Sequence, residues 1–169
     1  MTSTIQLGRI DTPIGPLTVA ARDEHVCLLY FDADERSARA ALAKWHPDER
    51  VHSVKDPGGA AAILGRYFDG DIHALDGIQV ELNGSEFQKR VWCALRRVKA
   101  GQTASYSAIA RQIGSVASVR AVGAANGANP IAVIVPCHRI IGANGSLTGY
   151  GGGLRRKEWL LRHEGARLF

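Results

Sequence analysis

The sequence has few cysteines and no long hydrophobic run. Its 169 residues contain three cysteines, an odd number that cannot all pair within one chain, and two of them, Cys27 and Cys93, lie in apolar patterns typical of a protein core. No secretory signal opens the chain, no apolar stretch is long enough to span a membrane, and no cluster has the paired spacing of metal ligands. We therefore expect a cytoplasmic protein with free thiols, no membrane partner, no cofactor and no metal.

Acidic residues are also scarce, but only in the second half of the chain. Residues 1–83 contain eight Lys/Arg and thirteen Asp/Glu, whereas residues 84–169 contain thirteen Lys/Arg and three Asp/Glu. The formal charge therefore changes from −5 to +10 at the turn signal Asn83-Gly84, and we expect two domains, 1–83 and 84–169. A basic domain attracts polyanions, most commonly nucleic acid, although a solvated basic surface without a partner has the same composition.

The acidic half has the pattern of an α+β domain and contains no catalytic constellation. Alternating hydrophobicity and turn formers predict strands at Ile5–Ile10, Leu17–Ala21, Val26–Phe31 and Ile78–Leu82, and helices at Asp34–Trp45 and Asp56–Phe68. Consecutive short strands are typical of a small antiparallel sheet. Four histidines on the expected loops are interpreted as surface residues: His25, His46, His52 and His73. The role expected for this domain is architectural.

The basic half is predicted to be mostly helical. It opens with the capping box Ser85–Gln88, which starts an amphipathic helix that ends near Gly101. Further helices are predicted at Tyr106–Ile113, Ala117–Asn126 and Leu154–Glu164. A tight glycine turn joins the first two of these, which suggests a helix-turn-helix.

The second helix of this pair consists of small residues around one arginine, Arg120. Small side chains allow a helix backbone to approach a surface closely, and Arg120 is the one long group that could penetrate that surface. A helix that reads bases in the major groove would instead carry several polar side chains. The alternative is an Ala/Gly helix packed inside the protein with Arg120 in a salt bridge, and the residues alone leave both interpretations open.

A reactive cysteine is predicted at the end of an apolar segment. Ile131–Val135 has the composition of a short buried strand that stops at a proline, and Cys137 follows directly with His138 and Arg139 behind it. A thiol reacts as its thiolate, and its free pKa of about 8.5 leaves only a few per cent ionised at neutral pH. An adjacent base or positive charge is therefore needed, and His138 and Arg139 can supply it. The common alternative is a buried, unreactive cysteine.

Two further features support a reactive site. Glu164 is expected in the last turn of the final helix, where a carboxylate faces the negative end of the helix dipole, so a role in orienting and charging His138 would justify its placement. Neighbours on an extended chain point apart, so His138 is expected to reach Cys137 through a bridging water. The segment Gly142–Gly153 contains six glycines, which indicates a backbone shaped to approach a planar ligand; a phosphate cradle is the competing interpretation.

These residues together resemble the O6-alkylguanine-DNA alkyltransferase family. The motifs are Arg120-Ala-Val-Gly123, Asn129-Pro130, Pro136-Cys-His-Arg139, Thr148-Gly-Tyr-Gly-Gly152, Lys157-Glu-Trp-Leu-Leu161 and His163-Glu-Gly165. The resemblance is dense from Ser85 to Gly165 and weaker over Asp11–Leu17. It implies a ribonuclease-H-like N-terminal domain and a DNA repair protein that flips O6-alkylguanine out of the duplex and transfers the alkyl group, once and irreversibly, to its own cysteine. O4-alkylthymine is a second candidate substrate.

The resemblance also implies catalytic roles for individual residues. Cys137 would be the acceptor thiol, activated by His138 through a water, with Glu164 behind the histidine. Asn129 would tie the helix-turn-helix to the active-site segment. Tyr106 would press on the phosphate of the target nucleotide and donate a proton to the leaving guanine.

Binding roles follow from the same resemblance. Arg120 would enter the minor groove and fill the gap behind the flipped base. The remaining DNA contacts would come from Tyr106, Ser107, Ala121 and Gly123, and the base pocket would be lined by Ile140, Tyr150, Gly151 and Gly152. The expected partner is double-stranded DNA containing alkylated guanine, and the free protein is expected to be a monomer with no obligate protein partner.

The chain lacks one feature that some relatives have. In these relatives a zinc site braces the N-terminal domain, whereas here Arg22 and Cys27 stand at two of the positions where ligands would be sought. The resemblance therefore implies no metal for this chain.

Two other function classes remain compatible with the residues. A cysteine hydrolase would use Cys137, His138 and Glu164 on an acyl substrate, and turnover of a thioester or peptide would identify it. A base-flipping binding protein would use Arg120 and Tyr106 without transfer, which would leave the Cys137 motif without a role.

Overall fold

The computed structural model of the chain describes residues 3–32, 34–114 and 119–168. These residues form two compact units: the chain up to Asn83 together with Pro130–Ile134, and Gly84–Asn129 together with Val135–Phe169. The first unit holds a small mixed sheet with helices and the second is mainly helical, so the α+β class predicted from the sequence is confirmed. Within the described ranges, no helix is both long and apolar enough to cross a membrane.

Four strands form the sheet of the first unit over the part of the chain that the structure describes. They are β1 (Thr4–Thr12), β2 (Gly15–Arg22), β3 (His25–Phe31) and β4 (Arg50–Ser53), in the order β3-β2-β1-β4. The first three pair antiparallel, as predicted, but β4 runs parallel to β1. The prediction of a purely antiparallel sheet is therefore wrong. The chain reaches β4 through a crossover helix after β3, which allows a parallel pair.

Two details of this sheet differ from the predictions. β4 has a single apolar residue, Val51, in a four-residue edge strand, so its sequence carries almost no strand signal. Conversely, Ile78–Leu82 forms no strand, because its ladder is reduced to one isolated bridge between Val80 and Val26. Pairing at a sheet edge depends on which segments meet in space, and local hydrophobicity does not report it.

One hydrophobic cluster of the first unit lies between the sheet and α1 (Glu35–Trp45). The strands contribute one face, on which the irregularity beside Ala20 and Ala21 brings in the consecutive residues Cys27 and Leu28, and α1 contributes residues at helical spacing. The buried cluster is Ile5, Leu7, Ala20, Cys27, Leu28, Ala38 and Leu42. Asp34 caps α1 by accepting the Ser37 N–H at 2.6 Å. Burial raises the pKa of the Cys27 thiol to about 12, so Cys27 is the inert core cysteine that the sequence predicts.

The second helix of this unit begins later than predicted. Pro57–Gly59 form one turn of 3-10 helix, and α2 covers Ala60–Phe68. Gly58 and Gly59 have φ angles of 57° and 77°, a left-handed conformation that interrupts regular helix. Asp56 still acts at this start, because its carboxylate accepts the Ala61 N–H at 2.7 Å.

A polar cluster in the first unit corrects the interpretation of one histidine. His46 is partly buried, and its Nε2 lies 2.9 Å from Glu81, with Nδ1 3.6 Å from Glu49. Arg22 binds the same two carboxylates, through Nε to Glu49 at 2.6 Å and Nη1 to Glu81 at 3.0 Å. His46 is therefore a structural partner of two glutamates and no loop surface residue. His52, also predicted on a loop, lies in β4.

The described residues of the second unit form four α-helices, the 3-10 turn Cys137–Arg139 and a two-stranded parallel sheet. Its elements are α3 (Glu86–Arg96), β5 (Ala104–Ser105), α4 (Tyr106–Gln112), α5 (Val119–Gly127), β6 (Ile140–Ile141) and α6 (Leu154–His163). β5 pairs with β6, with Ala104 opposite Ile140 and Ser105 opposite Ile141. This pairing holds the start of α4 beside the segment that follows Cys137.

Helix α3 is the scaffold of the second unit. The predicted capping box is present, since the Gln88 N–H donates to Ser85 Oγ at 3.1 Å and the Ser85 N–H donates to Gln88 Oε1 at 2.9 Å. Trp92 is buried, and its indole N–H donates to the Ala125 carbonyl of α5 at 2.9 Å. The prediction that Cys93 lies in the core is wrong. Cys93 is exposed, because it follows the buried Val91 by two residues and so faces away from the core.

The two short helices predicted after α3 both form. α4 begins as predicted and is capped by Ser105, whose Oγ accepts the Ala108 N–H at 3.1 Å. α5 buries Val122, Ala125 and Asn126 on one side. The predicted start of the second helix at Ala117 lies outside the described residues.

The segment before Cys137 is not the strand that its β-branched residues suggest. In the first unit, Ile131 makes one isolated bridge to Leu29, and the chain then turns. Val133 has a φ of 69°, which is rare for a β-branched residue and costs on the order of 1–3 kcal/mol. Ile131, Val133, Ile134 and Val135 are nevertheless buried, so the apolar side chains lie in the core without the hydrogen-bonded pairing of a strand.

Candidate active site

The thiol of Cys137 is almost inaccessible. Cys137 starts a single 3-10 turn, Cys137–Arg139, directly after Pro136, and is 7% exposed. The sequence predicts extended chain at Cys137, whereas the structure has a tight turn there. Burial raises the pKa of the Cys137 thiol, while a hydrogen bond from Asn129 and the positive charge of Lys157 act in the opposite direction.

His138 and Glu164 are brought together as the sequence predicts. His138 is fully buried, and its Nε2 lies 3.0 Å from each carboxylate oxygen of Glu164. An ionised carboxylate only accepts hydrogen bonds, so Nε2 carries the proton in this pair. Burial lowers the pKa of His138, and the charge of Glu164 opposes that effect. The other ring nitrogen, Nδ1, is buried without a hydrogen-bond partner among the residues that the structure describes.

Arg139 has a partner other than the one proposed from the sequence. Its Nε and Nη2 donate to the two oxygens of Glu164 at 3.0 and 2.8 Å, and Nη1 donates to the Val98 carbonyl at 2.7 Å. The guanidinium is thus engaged with Glu164, and the charge that acts on the Cys137 thiol comes from Lys157.

Glu164 joins both basic residues at the end of α6. The carboxylate lies at the C-cap, one position beyond the helix that was predicted to include it. Burial alone would raise the pKa of the Glu164 carboxyl, but His138 and Arg139 hold it well below its usual range. Glu164 is therefore ionised at neutral pH, and its two cationic or proton-donating partners offset the cost of burying that charge.

Asn129 lies beside the active-site turn. Its side-chain amide donates to the Val135 carbonyl at 2.7 Å, and it also hydrogen-bonds to the Cys137 side chain. These bonds connect the end of the α5 region to the two residues on either side of Pro136.

Sequence reasoning assigned no role to Lys157. This residue is fully buried in α6, and its ammonium group donates to the carbonyls of Ile140 and of Thr148, the latter at 2.8 Å. Burial lowers the pKa of Lys157 to about 8, and the neighbouring Cys137 opposes this shift. One signal was present in the sequence, because Lys157 precedes the buried Leu160 and Leu161 at helical spacing and so falls on the apolar face.

Tyr106 is hydrogen-bonded to Thr148, a second residue for which the sequence predicts no role. The phenol lies at the first position of α4, and its oxygen accepts a hydrogen bond from Thr148 Oγ1 at 3.1 Å. Gly123 of α5 is close to the ring, since a β-carbon there would be 3.9 Å from two ring atoms. Thr148 belongs to one of the motifs, but no local pattern reveals a contact between residues 42 positions apart.

The predicted DNA contacts lie at the starts of α4 and α5. Arg120 is exposed and forms no ion pair with any described residue, which argues against the packed-helix alternative. Ala121 is half-buried on α5, and Ser107 Oγ lies 3.0 Å from Ser105 Oγ at the cap of α4.

The predicted base pocket has a defined backbone. The Gly153 N–H donates to the Tyr150 carbonyl at 2.9 Å, which closes a turn around Gly151 and Gly152. Ile140 is buried in β6, and its carbonyl accepts a hydrogen bond from the Lys157 ammonium group. The glycine-rich segment Gly142–Gly153 is therefore folded by its own main-chain bonds and by the ammonium of Lys157.

Comparisons with known proteins match both halves of the chain. The model of the 6-O-methylguanine DNA methyltransferase ribonuclease-like domain matches residues 5–82, and that of the corresponding DNA binding domain matches residues 86–166. A methylated-DNA–protein-cysteine methyltransferase of Salmonella typhimurium is 47% identical over 95% of both chains. One of Mycolicibacterium paratuberculosis is 46% identical over 97% of both chains.

A solved structure shows the same fold. The crystal structure of Mycobacterium tuberculosis OGT in complex with DNA has a TM-score of 0.75 and 43% identity, and the match covers 95% of this chain and 92% of that chain. Given two domain models that span nearly all residues and relatives of this identity, the chain belongs to the O6-alkylguanine-DNA alkyltransferase family.

Proposed function

We propose that the protein repairs alkylated DNA by moving the alkyl group of O6-alkylguanine onto Cys137. The observation that carries the proposal is the buried thiol on a 3-10 turn, with His138, Glu164, Asn129 and Lys157 around it in a unit that matches a DNA binding domain. A soft thiolate is suited to displacement at an alkyl carbon. The sulfur–carbon bond forms as the bond between carbon and guanine O6 breaks, and the product is a stable thioether.

Ionisation of the thiol is the step that needs most help. Burial favours the neutral forms of both Cys137 and His138, so the resting pair is thiol and imidazole. His138 Nδ1 is the nitrogen left to accept the thiol proton, by way of a bridging water as the sequence suggests. The proton held on Nε2 by Glu164 sets this tautomer, and the carboxylate stabilises the imidazolium that forms.

DNA engagement is assigned to α4 and α5. Arg120, exposed at the start of α5, would fill the gap in the base stack behind an extruded nucleotide. Ser107, Ala121 and Gly123 would contact the DNA backbone. Extrusion costs a few kcal/mol and less for a damaged or mispaired base. Tyr106 would supply a proton to the departing guanine. Free protein is proposed to be a monomer that acts on double-stranded DNA containing alkylated guanine.

Mass measurement of the intact protein tests the transfer. After mixing with a duplex that contains O6-methylguanine, the protein should gain the mass of one methylene unit, and peptide mapping should place it on Cys137. Cys137→Ser should gain no mass yet bind the duplex with wild-type affinity, because the thiol is no phosphate contact.

The chain offers a matched control for this test. Cys93 is the exposed cysteine, so Cys93→Ser removes a more accessible thiol and should leave the mass gain unchanged. Label on Cys93, or transfer by Cys137→Ser, would contradict the assignment. Repeated turnover of a thioester without protein alkylation would identify a cysteine hydrolase instead.

A further inference from the structure

Thr148 and Tyr106 form a contact that joins the glycine-rich segment to α4. Thr148 Oγ1 donates to the Tyr106 phenol oxygen at 3.1 Å. A phenol carries one proton and can also accept hydrogen bonds. Because Thr148 occupies the oxygen as a donor, the proton of Tyr106 must point away from Thr148, towards the other side of the phenol.

The donor hydroxyl is itself held in place. The carbonyl of Thr148 accepts a hydrogen bond from Lys157 Nζ at 2.8 Å, and the same ammonium binds the carbonyl of Ile140. Ile140 pairs with Ala104 in the β5–β6 ladder, two residues before Tyr106. Tyr106 and Thr148 are therefore connected twice, directly and through the frame of Ile140 and Lys157.

We propose that Thr148 is a positioning residue, which orients the Tyr106 phenol for proton donation to the leaving guanine. The proposal rests on the function above, in which Tyr106 is that donor. As the sulfur–carbon bond forms and the carbon–O6 bond breaks, the electron pair moves into the guanine ring and the Tyr106 proton is transferred to that ring. The Thr148 hydrogen bond stabilises the negative charge left on the phenol oxygen, which regains a proton from solvent.

Removal of one hydroxyl tests the proposal. Thr148→Val keeps the shape and the backbone carbonyl but removes the donor, so single-turnover transfer from an O6-methylguanine duplex should slow about tenfold, the loss expected for one hydrogen bond. Thr148→Ser should recover most of the rate. Ser146→Ala is the matched control, because Ser146 Oγ binds Asn144 in the same segment and not Tyr106.

Two further measurements separate positioning from a structural role. Alkylation of Cys137 by iodoacetamide needs no protonated guanine, so Thr148→Val should react with it at the wild-type rate. In a Tyr106→Phe background, Thr148→Val should cause no additional loss of transfer. Equal losses with iodoacetamide, or an undiminished loss without the phenol, would overturn the proposal. Failure of the wild-type protein to accept alkyl groups would instead reject the proposed function.

Discussion

At the scale of single residues, the Cys137 thiol lies in surroundings with opposing effects. Burial disfavours the thiolate, whereas the Asn129 hydrogen bond and the Lys157 charge favour it. Burial likewise disfavours protonated His138, and Glu164 favours it. The thiolate therefore depends on partners that are held by hydrogen bonds of their own, Asn129 to the Val135 carbonyl and Lys157 to the Ile140 and Thr148 carbonyls.

Glu164→Gln should slow transfer and move its pH profile upward. The change removes the negative charge that supports protonated His138, so the pKa of His138 falls further and a higher pH is needed to ionise Cys137. A charge partner at this range shifts a pKa by about 1–3 units, so the rate at neutral pH should fall by roughly tenfold or more. Single-turnover rates across a pH series measure this, with DNA affinity expected to remain unchanged.

The control for this experiment is on the same helix. Glu158 pairs with Arg162 on the exposed side of α6, so Glu158→Gln removes an equal charge away from the thiol and should leave rate and profile as in the wild type. The thermal stability of both variants should be measured alongside their rates, because Glu164→Gln also weakens the buried bonds to Arg139. A folded Glu164→Gln protein with the wild-type pH profile would show that Glu164 has only a structural role.

At the scale of elements, α5 combines a packed side with an exposed one. Val122, Ala125 and Asn126 are buried, and the Trp92 indole of α3 holds the Ala125 carbonyl. Arg120 is exposed near the start of the helix. The small residues of α5 therefore allow close packing on α3 and leave Arg120 on the exposed side of the helix.

Arg120→Ala should slow repair of duplex DNA without slowing the reaction with free base. If Arg120 fills the gap behind the extruded nucleotide, its loss leaves the unstacking cost of a few kcal/mol without compensation. A free O6-alkylguanine base has no stack to leave, so its second-order rate should equal that of the wild type. Arg162→Ala, which removes one exposed charge from α6, is the matched control. Equal losses on both substrates would assign Arg120 to the fold or the pocket.

At the scale of the whole molecule, charge divides the chain into an acidic part and a basic part. The first 83 residues have a net charge of −5 and the remainder +10. The first unit contains the sheet, the inert Cys27 and the Arg22 ion pairs, and carries none of the residues proposed for transfer. The basic charge and Cys137 belong to the same unit, so in the proposed function one part of the molecule would attract DNA and react with it.

DNA binding should therefore weaken steeply with salt and depend little on sequence. Each phosphate neutralised by a basic side chain contributes about −0.9 to the slope of log affinity against log salt concentration, so a slope of roughly −3 or steeper is expected. Titrations of two unrelated unmodified duplexes at several salt concentrations measure both properties. Binding that is insensitive to salt would mean that the +10 charge is only a solvated surface.

Much of the chain was predictable because its signals are local. Strands β1, β2 and β3, the capping box of α3 and the start of α4 each depend on neighbouring residues, and the structure has all of them. Val133 and β4 show where this fails. A run of β-branched residues can be buried in a turn as well as in a strand, and a polar edge strand has no hydrophobic pattern to recognise. The conformation of these two segments therefore depends on tertiary packing.

The sequence by itself determined the basic charge of residues 84–169 and predicted Cys137, beside His138, as the nucleophile, because these are properties of composition and of adjacent residues. Tertiary structure alone decided that Arg139 binds Glu164, that Lys157 binds Ile140 and Thr148, and that Thr148 reaches Tyr106. These bonds join residues 9 to 42 positions apart. The bonds of Arg139 and Lys157 exist because buried polar groups must find partners once the backbone is folded. The partly buried Thr148 and Tyr106 meet only in the folded chain, and local preferences specify none of these partners.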